Sequence, residues 1–206
     1  MFDKWTASLV QIPLKQIALK AGTFGITPNQ VTVAGFCMGM LAIPLLAMNA
    51  YSLALIAIVI NRILDGLDGA LARLNQPTDA GGFLDITLDF IFYSGIVVGF
   101  ALADPMDNAL AASVLIFSFI GTGSSFLAFA IMAEKHQLTE PHFKHKSLYY
   151  LGGLAEGTET ILLFVLFCLF PHYFSILAYS FAAICFFTTF LRIIGGYKSI
   201  SLAENE

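Results

Sequence analysis

The feature that most constrains this chain is a series of long apolar runs. A helix needs roughly 20 mostly apolar residues to cross a bilayer, and six runs meet that length: 28–49, 51–74, 81–103, 108–133, 148–170 and 173–195. With 58% hydrophobic and 12% charged residues, the composition excludes an ordinary soluble domain. A transmembrane β-barrel would instead show segments of about ten residues with alternating hydrophobicity. The sequence therefore predicts an all-α integral membrane protein with six transmembrane helices.

An amphipathic segment precedes the first apolar run. Apolar side chains recur every three to five residues near the N-terminus, at Phe2, Trp5, Leu9, Leu14 and Ile17. This pattern predicts an amphipathic interfacial helix on the membrane surface, and Thr27 with Pro28 predicts the N-cap and first position of the next helix. We therefore expect a juxtamembrane helix over residues 1–22, a six-helix transmembrane domain over 23–198 and a tail over 199–206.

Positive charges set the expected orientation. Lys and Arg flank the predicted spans on one side only, at Lys4, Lys15, Lys20, Arg73, Lys135, Lys144, Lys146, Arg192 and Lys198. The connections on the other side, near residues 49–50, 104–107 and 171–172, contain neither Lys nor Arg. Because cytoplasmic connections carry the excess of positive charge, we expect both termini and the link 75–80 to be cytoplasmic. The compact chain favours a multi-pass protein of a bacterial inner membrane.

Four aspartates lie where two neighbouring runs would bring them together. Asp65 and Asp68 are three residues apart on the second predicted helix. Asp85 and Asp89 are four residues apart on the third, so each pair projects from one face of its helix. The link 74–80 returns the chain antiparallel, which lets the pairs face each other. With no Cys or His nearby, two hard divalent ions such as Mg²⁺ or Mn²⁺ fit best, and paired ions are typical of displacement at phosphorus.

Small and basic residues surround these aspartates. Glycines let a ligand approach the backbone closely, and four lie beside the acids, at Gly66, Gly69, Gly81 and Gly82. Arg73 lies two turns beyond Asp65, where a guanidinium can bind phosphate or a carboxylate. Arg62 lies one turn before Asp65, either to pair with a buried acid or to contact a substrate. A second glycine pair, Gly95 and Gly99, predicts close helix packing.

The aspartate-rich stretch fills a long motif, D-x-x-D-G-x-x-A-R followed by G-x-x-x-D-x-x-x-D. Its named positions are occupied by Asp65, Asp68, Gly69, Ala72, Arg73, Gly81, Asp85 and Asp89. The pattern resembles the signature of the CDP-alcohol phosphotransferases, also called CDP-alcohol phosphatidyltransferases. Seven residues separate Arg73 from Gly81, one fewer than in that signature. The stretch TPNQVT at 27–32 is similar to the start of the first helix in many members, so the resemblance covers nearly the whole chain.

The resemblance implies a transferase of phospholipid biosynthesis that moves a phosphatidyl or similar group from a CDP-linked donor to an acceptor alcohol, releasing CMP. The expected donor is CDP-diacylglycerol, the expected cofactors are two Mg²⁺ or Mn²⁺ ions, and the expected assembly is a homodimer with no nucleic-acid partner. By analogy the metal ligands are Asp65, Asp68, Asp85 and Asp89. The implied nucleotide site comprises Asp65, Asp68, Gly69, Ala72, Arg73, Gly81 and Asp85. Asp89 is the implied general base.

The motif leaves the acceptor open. Glycerol phosphate, inositol phosphate, serine, choline or a diacylglycerol would all use the same chemistry. Acids inside membrane helices are rare unless they face a cavity, so the candidates for the acceptor side are Arg62, Glu156, Glu159 and Arg192. The two glutamates either meet an amine or hydroxyl group of the acceptor or pair with one of these arginines.

Two other functions use acids within membrane helices. A prenyltransferase-like enzyme binds diphosphates through Asp-rich helices and Mg²⁺, but typically has two separated motifs and more spans. A cation or proton transporter would show repeated halves or broken helices around its site. Because all four aspartates lie in one hairpin, the sequence favours the transferase.

Overall fold

The computed structural model describes residues 14–136 and 156–204, and these are helical with short connections. The helices are α1 over residues 14–23, α2 Pro28–Met40, α3 Ala42–Ala47, α4 Tyr51–Asn75, α5 Asp79–Ala103, α6 Pro105–Lys135, α7 Gly157–Leu169 and α8 Phe174–Ala203. A 3₁₀ turn, Pro171–Tyr173, joins the last two. The predicted all-α fold is confirmed. The first half of the predicted interfacial helix, with Phe2, Trp5 and Leu9, lies outside the described residues.

Within the described ranges, four helical stretches are long and apolar enough to cross a membrane: Pro28–Ala47, Asp79–Ala103, Pro105–Lys135 and Pro171–Ala203. Helix α4 has 25 residues, as many as α5, but carries four charged side chains, those of Arg62, Asp65, Asp68 and Arg73. Helix α7 is apolar and has only 13 residues. The chain is therefore a multi-pass helical membrane protein, and the count of six spans stays a prediction.

The first predicted span is broken near its middle. Thr27 caps α2 as predicted, because its hydroxyl accepts a hydrogen bond from the Gln30 N–H while the Gln30 side chain accepts one from the Thr27 N–H. The helix then ends at Met40, and α3 begins at Ala42. Pro44 explains the break, because it has no N–H for the carbonyl of Met40 and its ring disfavours a continuous helix.

An aromatic core lies between α5, α7 and α8. Its large, fully buried side chains are Phe92, Phe100, Phe164, Phe167 and Phe174. Around this core, α2 packs on α4, α3 on α5 and α6 on α8. Gly95 and Gly99 let α3 approach α5, since added Cβ atoms would lie 2.9 Å from Ile43 Cδ1 and 2.7 Å from Leu46 Cδ1. The predicted packing role of this glycine pair is confirmed.

Helix α1 packs against α4 next to the aspartates. Leu14 and Ala18 are buried in one cluster with Ala70 and Leu71. A Cβ atom at Gly66 would lie 2.8 Å from Leu14 Cδ1. The prediction that Gly66 gives room to a ligand is therefore wrong, because the glycine gives room to α1.

Candidate active site

The two aspartate-bearing helices form a tight hairpin. Three residues, 76–78, connect α4 to α5. Gln76 takes a positive φ of 68°, and the Thr78 hydroxyl accepts a hydrogen bond from the Gly81 N–H at 3.1 Å. Four of the seven residues of the predicted link 74–80 are therefore helical, and the three residues 76–78 are enough to close the hairpin.

All four motif aspartates line one narrow pocket between α2, α4 and α5. Its polar lining consists of Thr32, Asn61, Arg62, Asp65, Asp68, Asp85 and Asp89. The sequence prediction that the two helix faces meet is thus confirmed in the geometry. Thr32 and Asn61 were not predicted as part of this pocket. Thr32 ends the stretch TPNQVT, whose resemblance to the family could have indicated a place in the site, whereas no sequence pattern marks Asn61.

Arg62 contacts two of the four motif aspartates in this structure, Asp65 and Asp89. Its Nη2 lies 2.7 Å from Asp89 Oδ1 and 3.5 Å from Asp65 Oδ1, while its Nη1 lies 3.4 Å from Asp89 Oδ2. Its Nε donates a hydrogen bond to Asn61 Oδ1 at 2.7 Å. The Tyr93 hydroxyl donates to Asp89 Oδ2 at 3.2 Å. Of the two predicted roles of Arg62, the structure therefore shows pairing with acids, here the partly buried Asp65 and Asp89.

The carboxylates fit a hard divalent cation. Asp68 Oδ2 is buried and has no hydrogen-bond partner, which is costly for a carboxylate oxygen. All four acids offer oxygen ligands, which Mg²⁺ and Mn²⁺ prefer. Among residues 14–136 and 156–204, no three Asp, Glu, His or Cys side chains already form a metal-binding group, and Asp89 is engaged by Arg62. The residues therefore suit a divalent ion whose binding would rearrange their side chains.

A second pocket, of about 140 Å³, adjoins the aspartates at the hairpin end of α4 and α5. Five of the predicted nucleotide-binding residues line it: Asp68, Gly69, Ala72, Gly81 and Asp85. A sixth, Asp65, lines the carboxylate pocket instead. Asn29 and Thr32 also line the second pocket and were missed by the sequence prediction, although both lie in the stretch at 27–32.

Arg73 and the paired glycines have distinct surroundings beside this pocket. The Arg73 guanidinium folds over α4, with Nη1 3.3 Å from the position of a Cβ at Gly69. A Cβ at Gly81 would lie 3.0 Å from Thr78 Oγ1, whereas a Cβ at Gly82 would meet nothing within 4 Å. Gly81, which the motif selects, is thus the closely packed glycine of the two.

A larger cavity, of about 350 Å³, lies between α5, α6, α7 and α8. Two predicted acceptor-side residues, Glu156 and Arg192, line it together with Tyr93 and Thr122. Arg192 Nη1 donates a hydrogen bond to the Thr122 carbonyl at 3.1 Å, and the guanidinium lies 5.6 Å from the ring centroid of Phe126. The cavity therefore presents both a carboxylate and a guanidinium on walls that include the aromatic residues Phe90, Tyr93, Phe119 and Phe126.

The other two acceptor-side candidates lie elsewhere. Arg62 lines the carboxylate pocket, and Glu159, in the first turn of α7, is not part of the lining of the large cavity. Tyr93 was missed, although it follows Asp89 by one helical turn on the same face. Tyr93 lines the large cavity, and its hydroxyl contacts Asp89, so this side chain links the cavity to an acid of the carboxylate pocket.

Comparison with known proteins shows what kind of protein carries this site. Residues 25–191 match the family model described as CDP-alcohol phosphatidyltransferase. The chain belongs to the CDP-alcohol phosphatidyltransferase family. The resemblance seen in the motif is therefore confirmed, and with it a membrane transferase of substituted phosphate groups.

Relatives of this phosphatidyltransferase-family chain include bacterial and archaeal proteins. It is 58% identical over 182 residues to the inner membrane protein YnjF of Escherichia coli (strain K12), covering 88% of each chain. It is 40% identical over 94 residues to an archaetidylinositol phosphate synthase of Pyrococcus horikoshii, covering 45% of this chain and 50% of that protein. Together with the apolar helices, the first relative supports a multi-pass protein of a bacterial inner membrane.

Solved structures share the fold of this family member. The phosphatidylinositol phosphate synthase PgsA1 of Mycobacterium tuberculosis, with CDP-DAG bound, superposes with a TM-score of 0.65 at 20% identity, covering 89% of this chain and 93% of that chain. The same synthase in complex with manganese and citrate gives a TM-score of 0.65 at 19% identity, covering 89% and 88%. At this level of identity the likeness establishes the fold.

Proposed function

We propose that this enzyme transfers a phosphatidyl group from CDP-diacylglycerol to an acceptor alcohol and releases CMP, as a step of phospholipid biosynthesis. The observation that carries the proposal is the arrangement of two adjoining pockets, one lined by four aspartates and one lined by small residues. The structure of PgsA1 with CDP-DAG bound supports a CDP-linked lipid as the donor.

The donor is proposed to lie across both pockets. Asp68 and Asp85 line the carboxylate pocket as well as the 140 Å³ pocket beside it, so a pyrophosphate at the boundary would lie near both acids, with divalent cations offsetting the like charges. Gly69, Ala72 and Gly81 leave room for the nucleotide in the 140 Å³ pocket, which is called the donor pocket below. This division of the lining matches a CDP-linked donor, in which the pyrophosphate is charged and the cytosine base is flat and neutral.

Divalent cations are the proposed cofactors, two Mg²⁺ or Mn²⁺ ions held by the four motif aspartates. The buried, unpartnered Asp68 Oδ2 supports this proposal, as does the manganese in a structure of PgsA1. When bound, such ions neutralise the pyrophosphate and the negative charge that develops on the departing CMP.

Asp89 is the proposed general base. Its carboxylate contacts Tyr93, which lines the 350 Å³ cavity, so an acceptor hydroxyl at the end of that cavity beside Tyr93 would approach Asp89. As the acceptor oxygen bonds to the β-phosphorus, the bond from this phosphorus to the CMP oxygen breaks and Asp89 takes the hydroxyl proton. Glu156 and Arg192 are the proposed contacts for the rest of the acceptor.

The proposed orientation places the active site and both termini in the cytoplasm. Arg73, near the end of α4, and Lys135, at the end of α6, support this orientation, because an excess of positive charge is typical of cytoplasmic connections. A homodimer is proposed from the family resemblance.

The transferase proposal is tested by following CMP release. The purified protein is incubated with Mg²⁺ or Mn²⁺, CDP-diacylglycerol and, in turn, glycerol phosphate, inositol phosphate, serine or choline. We expect at least one acceptor to give CMP and a new lipid, and EDTA to stop the reaction. A D68N/D85N double variant is the matched control for contaminating nucleotidases. Absence of CMP with every acceptor, and also with CDP-choline plus diacylglycerol, would refute the proposal.

A further inference from the structure

Arg62 bridges one aspartate from each helix of the hairpin. The same nitrogen, Nη2, lies 2.7 Å from Asp89 Oδ1 on α5 and 3.5 Å from Asp65 Oδ1 on α4. The Arg62 side chain is 16% exposed and those of Asp65 and Asp89 are 33% and 29% exposed, so solvent screens these contacts less than those of a surface ion pair. A guanidinium thus lies between two carboxylates that the proposed function assigns to metal binding.

The position of Arg62 is fixed by three helices. Its Nε donates to Asn61 Oδ1 at 2.7 Å, and Asn61 Nδ2 donates at 2.9 Å to the carbonyl of Gly35 on α2. Asn61 is 3% exposed. The guanidinium also lies 4.8 Å from the ring centroid of Phe92 on α5. The Arg62 side chain is therefore held in place by contacts within the site and does not extend freely into solvent.

The remaining two aspartates have a different environment. Asp68 and Asp85 line the pocket at the hairpin end as well as the carboxylate pocket, whereas Asp65 and Asp89 line the carboxylate pocket together with Arg62. Asp68 also retains its buried, unpartnered oxygen. The four acids thus divide into a pair that opens toward the donor pocket and a pair that is bridged by an arginine.

We propose that Arg62 is an internal counter-cation that competes with a divalent ion for Asp65 and Asp89. This inference rests on the metal-binding part of the proposed function. A divalent ion near Asp68 and Asp85 binds without displacing the arginine, whereas an ion that takes both Asp65 and Asp89 as ligands must displace it. The protein therefore has two cation sites of unequal affinity, and Arg62 sets the affinity of the weaker one.

The test is a Mn²⁺ titration of the full chain in lipid nanodiscs without CDP-lipid, read by electron paramagnetic resonance and calorimetry. Arg62→Gln removes the charge-assisted hydrogen bonds with which the guanidinium competes for the carboxylates. We therefore expect the Kd for Mn²⁺ at its weaker site to fall about tenfold or more. Arg62→Lys keeps the charge but loses the two-pronged contact, so its weaker site should tighten roughly threefold. The control Arg192→Gln, in the separate cavity, should bind Mn²⁺ like the wild type.

Thermal unfolding separates competition from a merely structural role. If Arg62 competes with the metal, Arg62→Gln unfolds at a lower temperature in EDTA, and Mn²⁺ raises its unfolding temperature by more than it raises that of the wild type. An equal loss of stability with and without Mn²⁺, or an unchanged or weaker second site, would overturn the proposal. If Arg62→Gln does not fold, Arg62→Lys serves as the test. The proposal is overturned if the weaker site of Arg62→Lys binds Mn²⁺ no more tightly than that of the wild type.

Measuring CMP release in parallel distinguishes this inference from the proposed function. If the wild type releases CMP but the variants show no shift in Mn²⁺ affinity, the transferase proposal holds and the counter-cation role of Arg62 is refuted. If Mn²⁺ affinity shifts but no acceptor gives CMP, the counter-cation role holds and the transferase proposal is refuted.

Discussion

At the scale of single residues, the four motif aspartates are not equivalent. Asp85 and Asp89 lie one turn apart on α5, yet Asp85 lines the donor pocket while Asp89 contacts Arg62 and Tyr93. Tyr93 also lines the large cavity. Neighbouring acids on one helix face therefore meet different partners, and only Asp89 is joined to the cavity proposed for the acceptor.

The general-base role of Asp89 gives the first prediction. Asp89→Asn keeps the size of the side chain but cannot accept the proton, so we expect kcat to fall by about 10²- to 10⁴-fold, measured as CMP release. Mn²⁺ and donor binding should persist in part, because Asp65, Asp68 and Asp85 remain. The control is Asp79→Asn, an exposed acid in the first turn of the same helix. A kcat close to that of the wild type would remove Asp89 from the base role.

The sequence predicted which residues gather but not how they pair. Helical spacing places Asp65 with Asp68, and Asp85 with Asp89, on facing surfaces, because that follows from 3.6 residues per turn. The contacts of Arg62 depend on how far α4 and α5 are rotated about their axes and on the rotamer of a long side chain. Neither is encoded in local spacing, so Asn61 and the contact of Arg62 with Asp89 became visible only in three dimensions.

At the scale of helices, the cap of α2 positions Asn29 and Thr32 beside the donor pocket. Thr27 and Gln30 bond to each other's backbone N–H groups. Thr27→Ala removes the hydroxyl acceptor, so we expect a loss of about 0.5–2 kcal/mol in the free energy of unfolding, measured by denaturation in detergent. Thr27→Ser keeps the acceptor and should stay close to the wild type. Equal losses in both variants would contradict this role of the cap.

Gly39 provides a second prediction at this scale, because it is where α2 approaches both α4 and α5. A Cβ there would lie 2.7 Å from the buried Phe92 ring and 2.9 Å from Asn61 Cγ. We expect Gly39→Ala to lower the free energy of unfolding by about 1–3 kcal/mol through overpacking. Gly22→Ala, where nothing lies within 4 Å of the added Cβ, is the control and should be neutral or stabilising. An unchanged unfolding temperature for Gly39→Ala would show that the three helices can move apart freely.

Most helix positions followed from the length of the apolar runs and from cap residues, and two errors have identifiable causes. Pro44 marks the break between α2 and α3, but the unchanged hydropathy of the run 28–49 predicts one continuous span. The role of Gly66 was misassigned because the sequence does not show that Leu14, on another helix, packs against it. Contacts between helices distant in sequence are decided by tertiary packing, which local patterns do not record.

At the scale of the whole molecule, the charge distribution predicts the topology. Met106, at the start of α6, is 92% exposed, and Phe24, between α1 and α2, is 82% exposed. In a background without the native cysteines at positions 37, 168 and 185, we expect Met106→Cys to react with an impermeant maleimide in spheroplasts. Phe24→Cys should react only after lysis. The reverse pattern would place the active site on the periplasmic side.

The ion pair between Arg62 and Asp89 also bears on how the chain enters the membrane. Charged residues at the centre of a helix oppose insertion by about 2.5–3.5 kcal/mol each, and α4 carries several of them. The nearer carboxylate partner of Arg62, Asp89, lies on the following helix, which a three-residue link joins to α4. We therefore expect α4 to be held at the translocon until α5 emerges, and the two helices to enter the lipid together as one hairpin.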